Sequence, residues 1–131
     1  MSDTPTFRER VRGGILGAVV GDALGLPFEG MPQSYLADNP VENMTGGGPH
    51  GLPAGTWSDD GSLLLSLADS LCSGYNPSRV GDAFLAWWRE ADWTPYGRTF
   101  GWGGTTARAM RRLAQGVPAL SAGLDAEGAN G

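Results

Sequence analysis

The chain has 131 residues, enough for one domain with a buried core, so we predict a single domain over residues 1–131. Its net charge is −5, and all nine basic residues are arginine, which argues against nucleic acid and anionic membranes as partners and excludes lysine Schiff-base chemistry. One cysteine and one histidine exclude an intramolecular disulfide and a Cys/His zinc site. The start lacks a secretory pattern and no apolar run approaches a membrane span, so we expect a cytoplasmic protein without a membrane partner.

The first predicted element is a helix from about residue 7 to residue 23. Thr6 and Glu9 have the spacing of a capping box, and apolar residues then recur at helical intervals. Four glycines in this helix would let another segment approach closely, so we expect the helix to be central and buried: Gly13, Gly14, Gly17 and Gly21.

A long loop and three further helices are predicted after it. Five prolines and a triple glycine punctuate residues 25–56, and loops of this length are usually functional or disordered. Ser58 would cap a second helix that ends near Gly74, Asn76 and Pro77 would open a third, and a fourth would begin near Thr105. No segment alternates as a strand does, so the predicted class is all-α with long Gly/Pro-rich loops.

The segment Ser58-Asp59-Asp60 is the strongest candidate for chemistry. Two adjacent carboxylates repel each other, and a helix N-terminus stabilises them only in part. A hard divalent cation held by oxygen ligands would complement them. The alternative is an ordinary helix cap followed by an acidic first turn.

A second candidate is the pair Asp22 and Glu29, near the predicted end of the first helix. If this segment met Asp59 and Asp60 in space, the carboxylates could bind Mg²⁺ and leave one as a general base. The alternative is a turn aspartate and a solvated glutamate.

The third candidate is the glycine-rich segment 101–106, directly before the fourth helix. Glycines let backbone approach a ligand closely, and a helix N-terminus offers free N–H groups, which suits a phosphate or pyrophosphate. The alternative is a flexible turn with a threonine cap.

Together these stretches resemble the ADP-ribosylglycohydrolase family. The order and spacing of the pieces are specific, and each piece alone would be weak. The resembling segments are Gly14–Gly25, Pro27–Glu29, Gly51–Asp60 and Gly101–Thr106.

The resemblance implies an all-α orthogonal helical fold around a site for two Mg²⁺ ions, with Mn²⁺ as the other possible metal. It implies Glu29 as the catalytic residue and Ser58, Asp59 and Asp60 as metal ligands. The substrate-binding residues that it implies are Asp22, Gly101, Gly103, Gly104 and Thr105. The implied reaction is hydrolysis of the glycosidic bond between ADP-ribose and a protein or small-molecule acceptor.

The chain also departs from the family pattern. It has no Asp-x-Asp-Thr/Ser motif, which completes the metal site in the family, and Gly61 stands where the family usually has Thr or Ser. Residues 128–131 resemble the start of a further family segment. We therefore expect an amino-terminal part of the family fold, which a complementing chain could complete. The alternative is a non-catalytic helical module that binds ADP-ribose or a partner chain. Helices that should pack on the missing part would expose apolar faces, and the candidates for such exposure are Trp87, Trp88, Trp93 and Trp102.

Overall fold

The computed structural model describes residues 4–123, so the segment 128–131 lies outside the described residues. Helix α1 spans Phe7–Gly25 and begins with the expected capping box. The Thr6 N–H donates to Glu9 Oε2 at 2.7 Å, and the Glu9 N–H donates to Thr6 Oγ1 at 3.3 Å. Hydrogen bonds from the Thr6 hydroxyl and, to a smaller extent, from the Thr6 N–H lower the pKa of the Glu9 carboxyl below its usual value.

Most of α1 is exposed, so the expectation of a central, buried helix is wrong for the described chain. Ala23 is its one buried residue, whereas Phe7 is 73% exposed and Leu16 58% exposed. A Cβ added at Gly13 or Gly17 would meet no atom of another segment within 4 Å. Here the glycines give no close helix contact.

The apolar character of α1 also corrects the expectation about membrane spans. The helical segment Phe7–Phe28, which extends three residues beyond α1, is long enough and apolar enough to cross a membrane, judged by length and composition only. Both a soluble core helix and an N-terminal signal sequence pass the same test, so this is weak support for a span.

The segment predicted as a loop contains two short helices. A 3-10 helix covers Leu26–Phe28, and α2 covers Gln33–Asp38. Helix α2 was not predicted, because six residues are too few to show an apolar period. Further on, Gly47 pairs with Leu52 in an isolated antiparallel bridge that closes a turn.

The remaining helices lie close to their predicted positions. They are α3 at Asp59–Leu71, α4 at Pro77–Glu90 and α5 at Gly104–Ala114. A further short helix, α6 at Ala119–Ala122, was not predicted. Residues 4–123 contain no strand, which confirms the all-α class. By internal packing the chain forms two compact units, the first ending at Gly61 and the second beginning at Ser62.

The second unit has its own core around Trp87, where α4, α5 and α6 contact one another. Trp87 is fully buried, contrary to the expectation that it would be exposed. Its ring lies edge-on to Trp102, with centroids 6.4 Å apart, and tilted against Trp88 at 5.9 Å. Gly81 admits close contact between helices, because an added Cβ would lie 3.1 Å from the Ala119 Cβ.

Candidate functional site

The carboxylate of Asp22 joins the end of α1 to the start of α3, within the first unit. Asp22 Oδ2 accepts hydrogen bonds from the N–H groups of Ser58 and Gly61, both at 2.8 Å. Asp22 Oδ1 accepts a third from the Ser58 hydroxyl, also at 2.8 Å. Asp22 therefore acts as a cap from a distant part of the sequence, satisfying N–H groups that a helix start leaves without an intrahelical partner.

Ser58 completes this arrangement. Its hydroxyl oxygen accepts a hydrogen bond from the Asp60 N–H at 3.1 Å, as expected for the residue that caps α3. Ser58 is buried, at 7% exposure. The helix start that presents Asp59 and Asp60 is thus held by Ser58 from within and by Asp22 from outside.

Gly61 is part of the same geometry. A Cβ at this position would lie 2.7 Å from Asp22 Oδ2 and 2.9 Å from Trp57 Cδ1, closer than real Cβ atoms come. A Thr or Ser, which the resemblance leads us to expect at this position, would have to displace the Asp22 carboxylate or the Trp57 ring. Glycine at position 61 therefore leaves the space in which the Asp22 carboxylate contacts the start of α3.

Asp59 carries the clearest electrostatic signal of the site. Its pKa is raised from 3.8 to about 6, first by burial and next by the negative charge of Asp60, with smaller contributions from Asp22 and Glu29. Its own backbone N–H opposes this in part. The first unit thus collects negative charge around a half-buried carboxylate, the arrangement that a bound cation would relieve.

The donor chemistry fits a hard divalent cation in kind, because Asp59, Asp60 and Ser58 all offer oxygen atoms. The number of ligands, however, is too small for a complete coordination sphere. Residues 4–123 contain no group of three or more His, Cys, Asp or Glu side chains placed to hold a metal ion. These residues would supply one part of a coordination sphere, and their assignment as metal ligands stays a prediction.

Glu29 follows the short 3-10 helix and lies in the first unit. Its Oε2 is 2.8 Å from Nε2 of His50. Because the charge of Glu29 also raises the pKa of Asp59, Glu29 belongs to the same electrostatic neighbourhood. Sequence reasoning did not select His50 as a site residue; the available signal was that the only histidine sits in a glycine-rich turn.

The segment Gly101–Thr105 belongs to the second unit. Gly101 has a φ of +88°, and Gly103 is the extended residue before α5, with no side-chain hydrogen bond capping the helix. Glycine suits both positions, since one needs the left-handed region and the other leaves the helix start uncovered by a side chain. Substrate binding by Gly101, Gly103, Gly104 and Thr105 stays a prediction, as does that by Asp22.

Comparison with known proteins identifies the family. The chain is 36% identical over 104 residues to ADP-ribosylarginine hydrolase Tri1 of Pseudomonas putida, covering 78% of this chain and 27% of that protein. It is 31% identical over 112 residues to the ADP-ribosyl-[dinitrogen reductase] glycohydrolase of Rhodospirillum rubrum, covering 82% of this chain and 36% of that protein. The chain thus spans about a third of the length of these relatives.

A solved structure supports the same relationship. A chain of an ADP-ribosylglycohydrolase-related protein complex superimposes with a TM-score of 0.61 at 43% identity, covering 78% of this chain and 31% of that one. The profile of the ADP-ribosylglycohydrolase family matches residues 3–131, nearly the whole sequence. The chain belongs to the ADP-ribosylglycohydrolase family.

Proposed function

We propose that this chain provides part of an active site that hydrolyses the glycosidic bond between ADP-ribose and an acceptor. The observation that carries the proposal is the acidic pair Asp59 and Asp60 at a helix start that the Asp22 carboxylate caps, and the raised pKa of Asp59 is consistent with it. Family membership supplies the reaction class. In that reaction water adds to the anomeric carbon of the ribose, the bond to the acceptor breaks, and the acceptor leaves with a proton.

The chain's own residues would divide the work. Ser58, Asp59 and Asp60 would hold Mg²⁺, one or two ions, with Mn²⁺ as the alternative. When bound, the metal supplies positive charge that orients the ribose and polarises water. Glu29 would act as general base and take a proton from the attacking water. Asp22 and the segment from Gly101 to Thr105 would bind substrate, the latter through glycine backbone against the diphosphate.

The names of two relatives support the proposed class of substrate. One is named for arginine as the ADP-ribosylated residue and another for dinitrogen reductase. We therefore propose an ADP-ribosylated protein as the first substrate to test, with an ADP-ribosylated small molecule as the second. The proposed partner is a complementing segment that corresponds to the two thirds of the relatives that this chain does not span. The proposed location is the cytoplasm.

The direct test measures ADP-ribose release from ADP-ribosylarginine peptide with Mg²⁺, using the chain alone and the chain mixed with the remaining segment of the Pseudomonas relative. We expect release in the mixture, lost on chelation and reduced at least about a hundredfold by Asp59→Ala. Asp38→Ala is the matched control, because it removes an exposed carboxylate of the same unit. Retained activity in Asp59→Ala would contradict the assignment.

Calorimetry with ADP-ribose distinguishes the proposed active site from the alternative, a non-catalytic module that binds ADP-ribose. A chain that binds ADP-ribose equally with and without Mg²⁺, and equally after Asp59→Ala, is a binding module and not part of a metal-dependent hydrolase. Binding that depends on both supports the proposed active site.

A further inference from the structure

The glycine-rich turn between residues 46 and 54 packs against the segment that carries Glu29. Its ends are joined by a hydrogen bond from the Gly47 N–H to the Leu52 carbonyl oxygen at 2.8 Å. Gly48 has a φ of +64°, and a Cβ added there would collide with the backbone of Pro27, two residues before Glu29. Glycine at 48 is therefore required twice, by the backbone angle and by the contact with Pro27.

This packing places His50 beside Glu29. The imidazole Nε2 lies 2.8 Å from Glu29 Oε2, although the two residues are 21 positions apart in sequence. His50 is the less exposed partner, at 29% against 59% for the Glu29 side chain. A mostly exposed glutamate samples several rotamers unless a fixed neighbour selects one, and the turn supplies such a neighbour.

We propose that His50 is a positioning residue for Glu29 and that the Gly48 contact with Pro27 is what places it. The inference rests on the catalytic role given to Glu29 in the proposed function. The Nε2–H of His50 donates to Oε2, which fixes the plane of the carboxylate and leaves Oε1 as the oxygen that receives the proton from water. In this role His50 acts through Glu29 and takes no direct part in the reaction.

The contact can be tested in the free chain, without any activity. His50 is the only histidine, so an imidazole ¹H–¹⁵N spectrum contains one ring system. We expect an Nε2 proton signal slowed in exchange with water, lost in Glu29→Ala and kept in Glu42→Ala, which removes an exposed carboxylate of the same unit. Identical spectra for wild type and Glu29→Ala would overturn the inference.

Two glycine variants test how His50 is placed. Gly48 and Gly51 both have positive φ, +64° and +61°, but only at Gly48 would a Cβ meet another segment. Gly48→Ala is therefore expected to remove the His50 signal, whereas Gly51→Ala shares the backbone strain and keeps it. Loss of the signal in both variants, or in neither, would contradict the role of the Pro27 contact.

Kinetics in the complemented enzyme test whether positioning matters. We expect His50→Leu to lower kcat about tenfold with KM nearly unchanged, and His50→Gln, which keeps an N–H donor, to restore most of it. Unchanged kcat in His50→Leu would overturn the inference. If the complemented wild type releases no ADP-ribose, the proposed function fails, and the spectra of the free chain decide the His50–Glu29 contact by themselves.

Discussion

Asp22 determines how α3 begins, because one side chain accepts three hydrogen bonds from Ser58 and Gly61. The sequence suggested a carboxylate near Asp59, and the structure shows what that carboxylate does locally. Its oxygens are directed at the helix start, so Asp22 orients the acidic residues in addition to adding negative charge near them.

Asp22→Ala is expected to lower the free energy of unfolding by about 2–3 kcal/mol, because it leaves partly buried N–H and O–H donors without their acceptor. Urea denaturation at neutral pH measures the change. Asp38→Ala, at an exposed site, should stay within about 0.5 kcal/mol of wild type. A loss for Asp22→Ala no larger than that of the control would show that the cap contributes nothing.

The raised pKa of Asp59 makes stability depend on pH. The folded state holds the Asp59 proton more tightly than the unfolded chain, whose carboxyl titrates near 3.8. The contribution of Asp59 to the free energy of unfolding is therefore fully present below about pH 4 and is lost as the pH rises through about 6. The Asp59→Asn side chain has no proton to lose, so the variant does not lose stability in this pH range. Above pH 6 we expect its free energy of unfolding to exceed that of wild type by about 1–2 kcal/mol, because the half-exposed site is partly screened by solvent.

Urea unfolding at pH 4 and pH 7.5, in chelator, measures this difference. Asp38→Asn corrects for the loss of one charge. An Asp59→Asn advantage that is the same at both pH values would contradict the assignment of the raised pKa to Asp59.

At the level of elements, the helix starts with a side-chain cap were predictable because their signals are local, whereas α2 and α6 have no such cap and were missed. The Thr6 capping box and the Asn76 cap are side-chain to backbone contacts over three residues, and both form as the sequence indicates. Burial was less predictable. The glycines of α1 indicate a close neighbour that the described chain does not provide, and Trp87 is buried because α5 and α6 contact α4. The contact of His50 with Glu29 depends on the turn at Gly48, which no periodicity encodes.

For the whole molecule, the central fact is that the chain spans about a third of its relatives while α1 presents apolar side chains to solvent. Exposed apolar patches drive association when no partner covers them. The family resemblance predicted the site motifs, but it gave no indication of which helix faces this chain exposes to solvent.

We therefore expect the isolated chain to self-associate with increasing concentration. Replacing Phe7 and Leu16 together by Gln should shift the sedimentation distribution towards monomer, because both side chains are more than half exposed. Leu120→Gln is the control, since Leu120 is 78% exposed but lies on α6. A monomer at all concentrations, or an equal effect of the control, would show that α1 is not the associating surface.

The hydrogen bonds from Ser58 to Asp22 span 36 residues, and this separation has a consequence for folding order. A helix can start from local signals, but the cap from Asp22 forms only after the intervening segment has closed into a loop, at an entropic cost that local capping avoids. The acidic pair should thus reach its final orientation late, after α1 has formed. A peptide that begins at Thr56 would contain Ser58, Asp59 and Asp60 and still lack the conformation in which they could act together.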